Sequence, residues 1–209
     1  VIYPGAVSEK LLKINFHSEH LVQELGTYFT HVSRIESYKN IDLLVDAAAE
    51  GKLTELTVIM GDGPYLQNLI KRAQKKGLQE TLFKIDSTNT LCRKFGPLCF
   101  TGYIPEEEKM ILLANSSASF SLNDEDFGIT KIESLAVGTP VIGYAAGATP
   151  EIIREGINGV LFPTNTTESL AVAVRRHFAQ TYSKEKIRHS AKPFTKEQFM
   201  HNFAKIPYA

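Results

Sequence analysis

Glu125 and Glu133 lie eight positions apart in the segment NDEDFGITKIE, and between them stands a glycine at the foot of a helix-like apolar pattern. If a helix begins near Gly128, its apolar face carries Ile129, Ile132 and Ala136, and the i+4 partner of Ile129 is Glu133. That placement points the Glu133 carboxylate toward the edge of a sheet, where it needs donors: hydroxyls, backbone N–H groups or the helix dipole. The plainer reading is a first-turn glutamate favoured by the dipole alone. Glu125 weighs against it, because Asp126, Phe127 and Gly128 then carry helix-start N–H groups between two acids, and a glycine lets a ligand approach the backbone. Two carboxylates around an anion-binding helix start suit a molecule with hydroxyls at both ends and phosphate between them. A nucleotide sugar is such a molecule.

Two other loops could contribute. In SRIESYKN, Arg34 and Lys39 are five apart on a stretch leading into a helix, where two cations and free N–H groups can converge on a diphosphate. Cations at a helix start oppose the dipole, which favours a bound anion over two solvated charges. In MGDGPYL, Gly61 and Gly63 form a glycine pair between strand and helix. The third glycine position of a dinucleotide fingerprint is Leu66, so the pair reads either as a turn lining a ligand or as a turn only.

The elements that must hold these loops alternate. Strand patterns at residues 28–35, 56–61, 98–104, 118–123, 140–145 and 159–162 alternate with helix patterns at 40–51, 64–77, 105–116, from 128, at 149–156 and in a long helical region from about Thr167. Near-continuous apolar strands between helices predict an α/β fold: a Rossmann-like parallel sheet with helices on both faces and ligands beyond the carboxyl ends of the strands. Residues 79–97 interrupt the rhythm and read as an insertion carrying a hairpin or short helix of its own.

Composition excludes several classes. Lys plus Arg number 23 and Asp plus Glu 23, so no global field draws the chain to nucleic acid or an anionic membrane. The basic run at 70–77 reads as a helix end complementing its dipole, and the basic stretch 173–192 as a solvated face, with peripheral contact to anionic lipid as the alternative. Cys92 and Cys99 lack the spacing of a zinc site and make no disulfide framework, so two reduced thiols in the cytoplasm are expected. The six histidines, among them His17, His20 and His31, read as surface or packing residues rather than metal ligands. No apolar run approaches a membrane span. The chain begins VIYPGAVSEK without a methionine, as expected of a piece of a longer polypeptide.

NDEDFGITKIESLAVGTPVIGYAAGATPEIIREGINGVLF resembles the donor-site signature of the retaining glycosyltransferases of family GT4, with Glu125 and Glu133 in the places of its paired acids. VIYPGAVSEK resembles the segment leading into that family's C-terminal domain, VSRIESYKNIDLLVDA its phosphate loop, VIMGDGPY its glycine turn, FTGYIPEEEKMILLANS its nucleoside-binding strand and helix, and FTKEQFMHNF its closing helix. The resemblance implies that residues 1–209 are the nucleotide-sugar-binding C-terminal half of a GT-B enzyme, with the acceptor-binding N-terminal half outside this chain. It assigns the diphosphate to Arg34 and Lys39, phosphate oxygens or sugar hydroxyls to the N–H groups of Phe127, Gly128 and Ile129, and the ribose to Glu133. Glu125 would face the transferred sugar, Asp126 would be among the substrate-binding residues, Tyr103 and Ile104 would lie near the base, and Gly147 would admit a loop to the donor. No cofactor is implied. The donor would be a nucleotide diphosphate sugar, with GDP-mannose favoured over a UDP-sugar, and the acceptor a saccharide or a lipid-linked acceptor. Changing either glutamate is expected to cost more in turnover than in stability. Two other readings stay open: a nucleotide-sugar-binding module without catalysis, and a metal-dependent GT-A-like transferase gripping its ion with Asp124 and Asp126.

Overall fold

A computed structural model describes residues 3–206; Val1 and Ile2 of the VIYPGAVSEK segment lie outside the described residues. The elements in chain order are α1 (Glu19–Leu25), β1 (Tyr28–Val32), α2 (Asp42–Ala49), β2 (Leu56–Met60), α3 (Leu66–Lys75), β3 (Glu80–Ile85), β4 (Thr90–Phe95), β5 (Leu98–Gly102), α4 (Glu106–Asn115), β6 (Ala118–Ser121), α5 (Ile129–Ala136), β7 (Val141–Tyr144), α6 (Thr149–Ile152), β8 (Gly159–Phe162), α7 (Thr167–Phe178), α8 (Lys184–Ser190) and α9 (Lys196–Phe203). One eight-stranded sheet runs β3-β4-β5-β2-β1-β6-β7-β8.

Alternation along the strands sorts the core onto two faces. Phe29 and Ile59 turn toward α2, α3 and α7, where Leu44, Ile70 and Val174 are buried. Their neighbours Tyr28, Val58 and Met60 turn the other way, onto Leu21 of α1 and Leu112 of α4. Ile132 and Leu135 of α5 pack with Ile187 of α8 and Val141 of β7. Each such side chain taken out of water contributes about 1.5–3 kcal/mol.

The expected parallel sheet is mixed. From β5 to β8 the pairings are parallel, but β4 runs antiparallel to β5 and β3 antiparallel to β4. The insertion is therefore a hairpin that widens the sheet rather than a separate excursion, joined to β5 by the turn at Gly96 and Pro97, where Gly96 takes a φ of 57°. This meander also overturns the expectation of free thiols. Cys99 lies opposite Lys94, two residues from Cys92, and the two sulfurs are joined in a disulfide with a Cα–Cα distance of 5.7 Å. In sequence the cysteines belong to one segment; only the strand reversal brings them side by side, and the compartment inferred from reduced thiols loses its support.

The long helical region from Thr167 is three helices. Thr166, Ser183 and Thr195 each accept a hydrogen bond from the first turn of the helix that follows, and Pro193 stands between the last two. The helix expected at 149–156 stops at Ile152, whose carbonyl accepts from the buried Asn158 side chain at 3.0 Å. The basic run at the end of α3 is neutralised from α2, where Arg72 holds Asp46 with two hydrogen bonds of 2.7 and 2.6 Å and Lys76 lies 3.2 Å away.

Chain order reverses at β1. The path from β1 leads outward through β2 to β5, while β6, β7 and β8 build away on the other side. A crevice opens at the carboxyl ends of β1 and β6, the place where open α/β sheets hold their ligands.

Candidate functional site

The crevice is a cavity of about 550 Å³, lined from the β1 side by Ser33, Arg34, Tyr38 and Lys39 and from the β6 side by residues 123–130. A second hollow of about 330 Å³ shares Val32, Ser33 and Arg34 with it and continues past Gly61 and Asp62 to Tyr103, Ile104, Glu106 and Lys109. The two hollows therefore adjoin along Val32, Ser33 and Arg34.

The middle lies where Arg34 and Lys39 meet the start of α5. Gly128 takes a φ of 79° and supplies no side chain to cap the helix, so its first-turn N–H groups are unclaimed by a capping side chain. Arg34 is 73% exposed, pairs with Glu36 at 3.1 Å and is free to swing into the crevice. Lys39 is mostly buried and donates to Glu125, with its ammonium 5.1 Å over the Tyr38 ring. The α5 face differs from expectation at one point: Ile129 is 53% exposed and lines the crevice, while Ile132 and Ala136 are buried. The first residue of the helix projects beyond the sheet edge, and burial starts one turn further in.

At one end, Glu125 is held by two ammonium groups. Lys39 takes Oε1, and Lys131 donates to Oε2 at 3.2 Å and to Thr149 Oγ1 at 3.2 Å. Burial alone would raise the Glu125 carboxyl; the Lys39 hydrogen bond and the Lys131 charge overcome it and hold the group below its usual range. Lys131 is only 2% exposed, and burial holds it below the ordinary lysine value despite Glu125. Sequence reasoning missed this lysine, although a cation inside the apolar pattern of α5 was as visible as Glu133. Gly147 does not line the crevice. It packs against the Asp124 carboxylate, and a Cβ there would stand 3.0 Å from the Glu125 nitrogen. Asp124 and Asp126 line the crevice on either side of Glu125. Among the described residues no group of three or more His, Cys, Asp or Glu is arranged to hold a metal ion.

At the other end, Glu133 finds a partner that its pattern did not announce. Lys109, in the first turns of α4, donates to Glu133 Oε2 at 3.1 Å and also pairs with Glu106 at 2.8 Å. Burial raises the Glu133 carboxyl above its usual value and the lysine only partly offsets this. In sequence, Lys109 reads as one more surface charge after three glutamates; the packing of α4 beside α5 gives it its role. Tyr103 is 83% exposed at the mouth of the hollow, with Ile104 beside it. Gly61 lines the hollow, whereas Gly63 lies under the Ile35 carbonyl and serves the close approach of two loops. His31 sits beneath the crevice as a packing residue: its Nδ1–H donates to the Phe120 carbonyl at 3.0 Å and its Nε2 accepts from Ser33 Oγ at 2.9 Å.

The family described as Glycosyl transferases group 1 matches residues 13–91 and 91–194, most of the chain. The chain belongs to this family. As a group 1 glycosyl transferase domain it is 25% identical over 176 residues to the O-antigen chain mannosyltransferase C of Escherichia coli, covering 82% of this chain and 42% of that protein. It is 31% identical over 135 residues to the alpha-monoglucosyldiacylglycerol synthase of Streptococcus pneumoniae, 63% of this chain and 27% of that protein. The chain thus spans less than half the length of these relatives. The crystal structure of Anabaena Alr3699/HepE in complex with UDP superposes with a TM-score of 0.75 at 20% identity, over 98% of this chain and 56% of that one. The mostly parallel eight-stranded sheet with helices on both faces is thereby one half of a GT-B glycosyltransferase fold. Among the described residues no helix is long and apolar enough to cross a membrane.

Proposed function

We propose that this chain is the donor-binding half of a retaining glycosyltransferase that moves a hexose from a nucleotide diphosphate sugar to a saccharide or lipid-linked acceptor, the acceptor being held by an N-terminal half outside this chain. The observation that carries the reading is the convergence of Arg34, Lys39, the α5 start and Glu125 on one crevice at the topological switch point; Glu133 does not line it and reaches the adjoining hollow only through Lys109. The diphosphate lies between Arg34, Lys39 and the first-turn N–H groups, which stabilise the charge that grows on the leaving nucleoside diphosphate as the glycosidic bond breaks. Glu133 accepts the ribose hydroxyls, the base reaches Tyr103 and Ile104, and Glu125 orients the sugar and stabilises an electron-poor anomeric carbon. A phosphate oxygen of the leaving group takes the acceptor's proton, so retention needs no cofactor and no metal. Mannose is the favoured sugar, supported by the mannosyltransferase relative; the UDP in the structural neighbour keeps a UDP-sugar as the comparison.

Calorimetric titration of the chain with GDP, UDP, GDP-mannose and UDP-glucose, each with and without EDTA, tests this. Binding of one base class, unaffected by EDTA and lost in Arg34→Ala, is the expected result. Binding abolished by EDTA would move the function to a metal held at Asp124 and Asp126, and no binding by a folded sample would overturn the donor site.

A further inference from the structure

Three carboxylates, Asp124, Glu125 and Asp126, stand on the loop where the diphosphate is proposed to sit, and only two cations, Arg34 and Lys39, line the crevice with them. One of those two is already committed, because Lys39 is the ion-pair partner of Glu125 Oε1. A diphosphate entering the crevice needs that same ammonium. Were Lys39 the sole partner of Glu125, moving it would leave a mostly buried carboxylate without a counter-ion beside an arriving anion, an arrangement that costs more than the new pair gains. The third cation is Lys131. It does not line the crevice, is fixed from below by Glu125 Oε2 and Thr149 Oγ1, and occupies the space that a side chain on residue 128 would fill.

Building on the donor-site reading, we infer that Lys131 is a positioning residue that permits a hand-over: it keeps Glu125 paired and in place while Lys39 leaves Glu125 Oε1 for the diphosphate. Lys131 touches no part of the ligand. With it the three carboxylates of the loop face three cations, of which Arg34 also pairs with Glu36; without it the anion site loses one positive charge and Lys39 is held to Glu125.

The test is calorimetric titration with GDP and UDP of the wild-type chain, Lys131→Met, Glu125→Gln and the double variant. Lys131→Met should weaken nucleotide binding at least tenfold although the residue is outside the crevice, and adding Glu125→Gln should restore affinity to within about threefold of Glu125→Gln alone, because a neutral amide needs no counter-ion. A merely structural lysine would give no such rescue. Glu125→Gln by itself should bind several-fold more tightly than wild type, with Lys39 released; this reading survives even where Lys131→Met fails to fold. Wild-type binding with an unaffected Lys131→Met, an unrescued double variant, or unchanged affinity in Glu125→Gln would each overturn the hand-over and leave the donor site standing. Failure of the folded wild type to bind either nucleotide would instead overturn the donor site, and the hand-over with it.

Discussion

Gly128→Ala tests the packing under the crevice without touching a charge. The backbone at residue 128 has a φ of 79°, and an added Cβ would stand 2.5 Å from Glu125 Oε2 and closer still to the Lys131 ammonium. The left-handed backbone alone costs about 1–2 kcal/mol for an alanine. The neighbours cannot simply move aside, since Lys131 is buried and tied to both Glu125 and Thr149; breaking one side of such a buried pair adds about 3 kcal/mol. The sum is about 4–5 kcal/mol, which for a domain of this size lowers the melting temperature by about 8–20 °C. Gly26→Ala is the internal control: φ is 63° with ψ −139°, and nothing lies within 4 Å of the added Cβ, so only the backbone cost of about 1–3 kcal/mol applies. Urea unfolding of both variants, read at constant m, measures the difference. If Gly128→Ala falls within about 1 kcal/mol of Gly26→Ala, the Glu125–Lys131 pair does not fill that space and the account of the site's floor is wrong.

Replacing the disulfide with Cys92→Ser and Cys99→Ser should cost about 2 kcal/mol from the seven-residue separation it closes, seen as a lower melting temperature that added reductant reproduces in the wild type; a reductant-insensitive protein would contradict the pairing. His31 and His177 are both held down at about 4 by burial, so the folded state binds fewer protons than the unfolded one below pH 6.5. Their contribution is complete above pH 6.5 and is lost as pH falls toward 4, on the order of 2 kcal/mol per histidine by pH 5. A urea midpoint that stays level between pH 8 and 5 would refute this. Lys109→Met removes the partner of Glu133, so its carboxyl rises further and protonates at milder acidity. The variant should lose nucleotide affinity at a higher pH than wild type as the solution is acidified, and coincident profiles would separate Glu133 from nucleotide binding.

The buried lysine also revises one expectation. Removing Glu125 was expected to cost more in turnover than in stability, but Glu125→Ala would strand Lys131 in the interior, so a stability loss accompanies any loss of activity. Glu125→Gln retains an acceptor and is the better probe of chemistry.

Period and punctuation alone carried much of this protein. Continuous apolar strands bounded by glycine and amphipathic helices between them follow from local steric and solvation rules, so the layered sheet and the loops at its carboxyl edge were legible in the sequence. What the tertiary structure decided are contacts between elements distant in the chain. Glu133 invited a search for hydroxyls and found Lys109, 24 positions away, because α4 and α5 pack side by side. Cys92 and Cys99 looked like two thiols of one segment until β4 folded back along β5. Lys131 carried no reading in the sequence, and its role comes from the segments after β6 and β7, which supply Glu125 and Thr149. A polar residue in an apolar pattern signals that a partner must exist, since burying it alone is too costly; which partner it meets depends on how the helices and loops are laid against the sheet, and that is a property of the packing rather than of any local stretch.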